Sequence, residues 1–80
     1  MKHELKTWCG PFQAVLDGRK AFEVRFNDRG FKEGDLLFLR EWDHERKEYT
    51  GNATTKRVTY IIEGEFGIPE GICVMSLGEP

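Results

Sequence analysis

The chain has little of what most catalytic and metal-binding sites are made from. Among its 80 residues there is one serine, two histidines and two cysteines. Ser76 sits inside an apolar run with no elbow glycines around it, which argues against a serine hydrolase. His3 and His44 are isolated, and neither lies at ligand spacing from a cysteine or a carboxylate. No metal is expected, and no cofactor. Neither Cys9 nor Cys73 has a basic neighbour in sequence that would make it a thiolate nucleophile. The glycines are scattered singly at turns, so there is no phosphate-cradling loop. No apolar run approaches the ~20 residues that span a bilayer, and the charged start Met1-Lys2-His3-Glu4 lacks the apolar segment of a signal peptide. No membrane partner is expected. The chain reads as cytoplasmic, with both cysteines reduced as small half-buried thiols. A net charge of −2 gives no global attraction for nucleic acid, so any such case must rest on local clustering.

What is present is enough for one small globular unit. With 39% hydrophobic and 32% charged residues, the composition is that of a folded chain rather than a disordered one. Eighty residues make a single domain, 1–80, with a modest core. A short strand is expected over residues 3–7, carrying Leu5 and Thr7. Pro11 suits the first turn of a helix, and Phe12, Val15 and Leu16 share one helical face. Gly18 supplies a left-handed stop. A helix over 11–17 follows, held only by packing on a sheet. Trp8 is expected to close that apolar face.

Residues 21–26 alternate, with Phe22, Val24 and Phe26 assigned to the core and Glu23 and Arg25 to the opposite face. Leu36-Leu37-Phe38-Leu39 reads as a strand covered on both faces or curled into a small barrel. By parity Glu41 lies with Leu37 and Leu39, while Trp42 lies with Phe38 and Arg40. Residues 44–52 read as a hairpin loop closed by Gly51-Asn52. Thr54–Ile62 is a β-branched strand with Val58, Tyr60 and Ile62 on one face, and Ile72–Leu77 is a final buried strand. The fold class is α+β: a short strand, one short helix, then four strands.

The densest charge on a structured element falls at the helix-to-strand junction. From Arg19 to Lys32, five basic residues stand against Glu23 and Asp28. Lysine and arginine beside a glycine turn suit phosphate, and Glu23 suits a base edge or its own lysine. Trp8, Trp42 and Tyr49 are available for stacking. A structural salt bridge on a half-exposed strand face explains the same residues.

The spacing Gly18-x-Lys20-x-x-Glu23-x-Arg25 resembles the GxKxxExR signature of ASCH domains, a branch of the PUA-like superfamily. The similarity continues through Asn27-Asp28-Arg29, Gly34-Asp35, Leu39-Arg40-Glu41-Trp42, Tyr49-Thr50-Gly51 and Val58–Ile61, and so covers nearly the whole chain. It implies a mixed PUA-like β-barrel whose cleft is lined by Lys20, Glu23 and Arg25, with RNA or a nucleotide as partner. Some proteins similar in fold are amidohydrolases acting on acetylated cytidine, which use the motif lysine, a threonine in the next strand and a distant glutamate. Here Glu23 stands at the threonine position, and no helical segment follows to bring the distant acid. A lysine beside a glutamate also forms an ion pair, which makes it a poor base. The expectation is therefore a binding module, monomeric or weakly dimeric, using Gly18, Lys20, Glu23, Arg25, Arg29, Arg40 and Trp42. A small amidohydrolase and a non-catalytic protein-interaction domain are the alternatives.

Overall fold

In the computed structural model, which describes residues 1–80, the β-branched and apolar runs form one curled sheet. In chain order the elements are β1 (Lys2–Trp8), α1 (Cys9–Leu16), β2 (Phe22–Phe26), β3 (Leu36–Asp43), β4 (Glu48–Glu63) and β5 (Ile72–Gly78). The strands lie in the order β1-β3-β4-β5-β2, with β1 parallel to β3 and every other pair antiparallel. The expected α+β class with one short helix is what forms, as a five-stranded half-barrel.

The barrel stops short of closure between its two edge strands. In the parallel pair the odd residues of β1 bond to β3, as the bond from Leu36 N–H to the Met1 carbonyl shows. The even residues Glu4 and Lys6 therefore turn their backbone groups to the open edge. Across the gap β2 does the same. Its odd residues bond to β5 (Leu77 N–H to the Ala21 carbonyl, Asn27 N–H to the Gly71 carbonyl), which leaves the backbone groups of Phe22, Val24 and Phe26 facing the seam. Two side chains bridge it. Arg25 Nη2 donates to the Lys6 carbonyl at 3.1 Å, and Arg29 Nη1 donates to the Glu4 carbonyl at 2.6 Å. An edge strand left bare invites pairing with another chain; here guanidinium groups occupy two of its carbonyls.

The core gathers Leu5, Phe12, Val15, Leu37, Leu39, Val58, Cys73 and Met75, all buried, with Ile61 and Leu77 packed against them. The helix runs Cys9–Leu16 rather than 11–17, with Pro11 in its first turn, and Gly18 ends it at φ 84°. Phe12 and Val15 face the sheet as expected, whereas Leu16 is exposed. Trp8 does not close the helix face. It is on the outer side of β1, 53% exposed, and its indole stacks on the His44 ring at 3.9 Å.

Two irregularities of β4 redirect side chains. Between the pairs Arg40↔Ala53 and Trp42↔Tyr49, β3 advances two residues while β4 advances four. The Gly51-Asn52 pair is thus a bulge inside β4, with Gly51 at φ 97°, and the hairpin turn lies earlier, at residues 44–47. A second bulge falls at Thr59, between Val58↔Leu77 and Tyr60↔Ser76. One extra residue exchanges the faces of the strand beyond it. Val58 is buried, but Ile61 takes the next inward position and Tyr60 is left exposed.

The face assignment of β2 is the largest correction. Phe22, Val24 and Phe26 point outward and are 45%, 51% and 73% exposed, while Glu23 is buried. The neighbouring strand decides this. Register pairs Glu23 with Met75 and Arg25 with Cys73, both inside the half-barrel, so Glu23 and Arg25 share that side.

Candidate functional site

The inward turn of β2 assembles a charged triad in the seam. The helix ends at Gly18, and the chain brings Lys20 alongside the start of β2, its N–H bonded to the Ala14 carbonyl at 3.0 Å. Lys20 Nζ donates to Glu23 Oε1 at 2.5 Å and to the Phe22 carbonyl at 2.7 Å. Arg25 Nε donates to Glu23 Oε2 at 2.9 Å. Glu23 is thus a buried carboxylate held on both oxygens by cations, the condition under which a buried charge is tolerated. Arg25 Nη2 also reaches Thr7 Oγ1 at 3.5 Å.

These groups floor a cleft of about 330 Å³ between β1, the helix start and β2, lined by Thr7, Trp8, Pro11, Lys20, Glu23 and Arg25 among others. The triad carries a net charge of +1. Lys20 has three hydrogens and uses two of them, while the Nη1 amino group of Arg25 makes no bond within the chain. Both cations remain partly exposed, at 19% and 27% of their side-chain surface. The cleft therefore offers unengaged cationic donors prepositioned by a buried carboxylate, which is chemistry for an oxyanion.

Of the seven residues expected at the site, the structure brings Lys20, Glu23 and Arg25 into contact. Arg29 lies further along the same seam, holding the Glu4 carbonyl. Gly18 shapes the turn and contributes no side chain. Arg40 and Trp42 are elsewhere: they project from the outer face of β3, where Arg40 packs over Tyr49 and Trp42 lies under Lys6.

Sequence reasoning passed over a second buried carboxylate. Glu41 accepts from Gln13 Nε2 at 3.0 Å, Thr50 Oγ1 at 2.8 Å and Asn52 Nδ2 at 3.0 Å. No cation is among its partners. These donors hold its carboxyl below the ordinary value near 4.5, with Gln13 the largest influence, against the opposing effect of burial. The signal was visible in parity, since Glu41 shares a face with Leu37 and Leu39. What was not visible is the β4 bulge that turns Thr50 and Asn52 onto it. At the other end of β3, Asp35 Oδ2 meets His3 Nε2 at 2.8 Å and accepts from Lys32 N–H at 3.1 Å. His3 foremost, then Lys32, lowers the Asp35 pKa from its usual 3.8.

No group of three or more His, Cys, Asp or Glu side chains lies close enough together to hold a metal, and no helix is long and apolar enough to cross a membrane. Both cysteines are free: Cys9 is half-buried and Cys73 fully buried. Burial is the main influence raising both thiols above the usual value, and for Cys9 the nearby Glu41 and Asp43 add to it. Iodoacetamide at neutral pH should therefore label the folded protein far more slowly than the urea-unfolded chain, followed by mass spectrometry. Equal rates would show that the thiols are not shielded.

Residues 2–77 match the family model described as a domain of unknown function, DUF3850. The chain belongs to that family. The matched DUF3850 residues include both the triad and the Glu41 cluster. The chain is also similar to an uncharacterised 12.9 kDa protein in the GpA 3′ region of Escherichia phage P2, 36% identical over 61 residues. That stretch is 76% of this chain and 54% of the phage protein, so the chain matches about half of its relative's length.

Proposed function

We propose that this DUF3850 domain is an ASCH-type, PUA-like module whose seam cleft binds RNA or a nucleotide through a phosphate. The observation that carries this reading is the convergence of Lys20 and Arg25 on buried Glu23 at the floor of an open cleft, each with donors left over. Glu23 fixes where the cations sit, and the phosphate meets the donors that Glu23 does not engage. Thr7 and Trp8 on β1 provide a hydroxyl and an indole beside them. The spacing of Gly18, Lys20, Glu23 and Arg25 supports the family reading, and the half-barrel around it is compatible with a PUA-like barrel.

The test is a calorimetric or NMR titration with mononucleotides and a short single-stranded RNA. Lys20→Ala should weaken binding tenfold or more, as expected for a charge-assisted contact of roughly 1.5–3 kcal/mol. With Lys20 and Arg25 both on phosphate, log K should fall with log salt at a slope near −1.4. A variant that melts earlier yet binds unchanged would make the triad purely structural. Turnover of an acetylated nucleoside, abolished by Lys20→Ala, would favour hydrolysis instead.

A further inference from the structure

The outer face of β1, β3 and β4 carries a pattern that the seam does not use. Cross-strand register places Lys2, Leu36 and Arg57 in one row, Glu4, Phe38 and Thr55 in the next, then Lys6, Arg40 and Ala53, then Trp8, Trp42 and Tyr49. Four of these side chains are basic and one is acidic, a local charge of +3. The whole chain is −2, so the remainder carries −5. Charge is thus segregated onto one sheet face of an acidic molecule, as it is in proteins that present one side to a polyanion.

The cations there are interleaved with flat rings. Lys6 Nζ lies 3.8 Å from the centre of the Trp42 ring, Arg40 Cζ lies 3.8 Å from that of Tyr49, and Lys2 Nζ lies 4.8 Å from that of Phe38. Trp42 and Tyr49 meet edge to face at 4.9 Å. One ion pair, Arg40 with Glu4 at 3.1 Å, sets the guanidinium in place. A shallow groove of about 320 Å³ runs beside Arg40, Tyr49 and Phe38. Rings capped by lysine and guanidinium groups form a surface on which an unstacked base can lie on the Arg40 plane, or take the place of a lysine over a ring while that lysine turns to the phosphate.

We infer that this face is a stacking platform for single-stranded nucleic acid, continuous across β1 with the seam cleft. Lys6 and Trp8 belong to the edge of both. The inference rests on the reading of the chain as a nucleic-acid binder and specifies the ligand class: a strand several nucleotides long, with splayed bases, rather than a lone nucleotide or a duplex.

The chain contains two tryptophans, Trp42 on this face and Trp8 at the edge it shares with the seam cleft, so intrinsic fluorescence reports binding at either and the variants tell them apart. Octauridylate at low salt should quench the emission of the wild-type chain, while uridine monophosphate at equal phosphate concentration should do so weakly. Octathymidylate separates recognition of RNA from that of any single strand, and octaglutamate separates stacking from simple polyanion attraction. Arg40→Ala and Lys2→Ala, partly and fully exposed positions outside the seam cleft that should leave melting nearly unchanged, should each weaken octauridylate binding about tenfold. No quenching, octaglutamate binding as tightly as octauridylate, or unchanged affinity in both variants would each overturn the platform. Loss of binding in Lys20→Ala with normal binding in the face variants would remove the platform and leave the seam reading standing. The reverse pattern would remove the seam reading and leave the platform.

Discussion

Replacing Arg25 with alanine should lower stability by about 2–3 kcal/mol and the melting temperature by roughly 10–20 °C. The side chain donates to Glu23 Oε2 and to the Lys6 carbonyl, and of the two bridges across the seam it is the one that starts from β2 itself. Its loss leaves a buried carboxylate with one cation instead of two and frees a carbonyl at the seam. The lower end of the range for broken buried pairs applies because Lys20 remains bonded to Glu23. For 80 residues the total stability is roughly 4–12 kcal/mol, so the loss is a large share of it. Arg25→Lys should recover only part, since an ammonium can meet Glu23 but cannot fork to the Lys6 carbonyl as a guanidinium does. Urea and thermal unfolding followed by circular dichroism decide it. A change in Arg25→Ala smaller than about 0.5 kcal/mol would show that the bridge adds nothing.

Glu41→Ala should be at least as costly, at about 3 kcal/mol, because three donors aimed at one carboxylate lose their acceptor together. It should also change the response to acid. The folded Glu41 and Asp35 carboxyls titrate below their ordinary values. Their contribution to stability is therefore complete above the unfolded pKa, near 4, and is lost as pH falls through the lower folded value. Wild-type stability should thus decline from about pH 4 downward, and the decline should be shallower in Glu41→Ala. Parallel acid profiles for the two proteins would assign the acid sensitivity to Asp35 or to exposed carboxylates instead.

How far the sequence could be read depended on which physical question each residue posed. Alternation is a property of the strand itself, so it grouped Glu23 with Arg25, and Glu41 with Leu37 and Leu39, as they are found. Which group faces inward is not a property of the strand. For β2 it depends on registry with Cys73 and Met75, some fifty residues away, and on Lys20 arriving to neutralise Glu23. Gly51-Asn52 has the chemistry of a turn and is used at a bulge, because a positive φ serves either purpose and only strand pairing separates them. The same holds for Tyr60 and Ile61, whose faces exchange at Thr59. Arg40 and Trp42 had the right residue types for a ligand site, but β3 sends them to the side of the sheet away from Lys20.

The unclosed seam is held together differently from the rest of the half-barrel, where neighbouring strands share a backbone ladder. Parting two hydrogen-bonded strands breaks a whole ladder at once. Across the seam the bonds come from guanidinium groups instead: Arg25 to the Lys6 carbonyl and Thr7 Oγ1, and Arg29, just beyond β2, to the Glu4 carbonyl. One of those groups, Arg25, also faces the cleft. In the proposed reading a phosphate on its free Nη1 shares that side chain with the clasp on Lys6, so cleft occupancy and the hold of Arg25 on β1 are coupled, each changing the other by the same free energy.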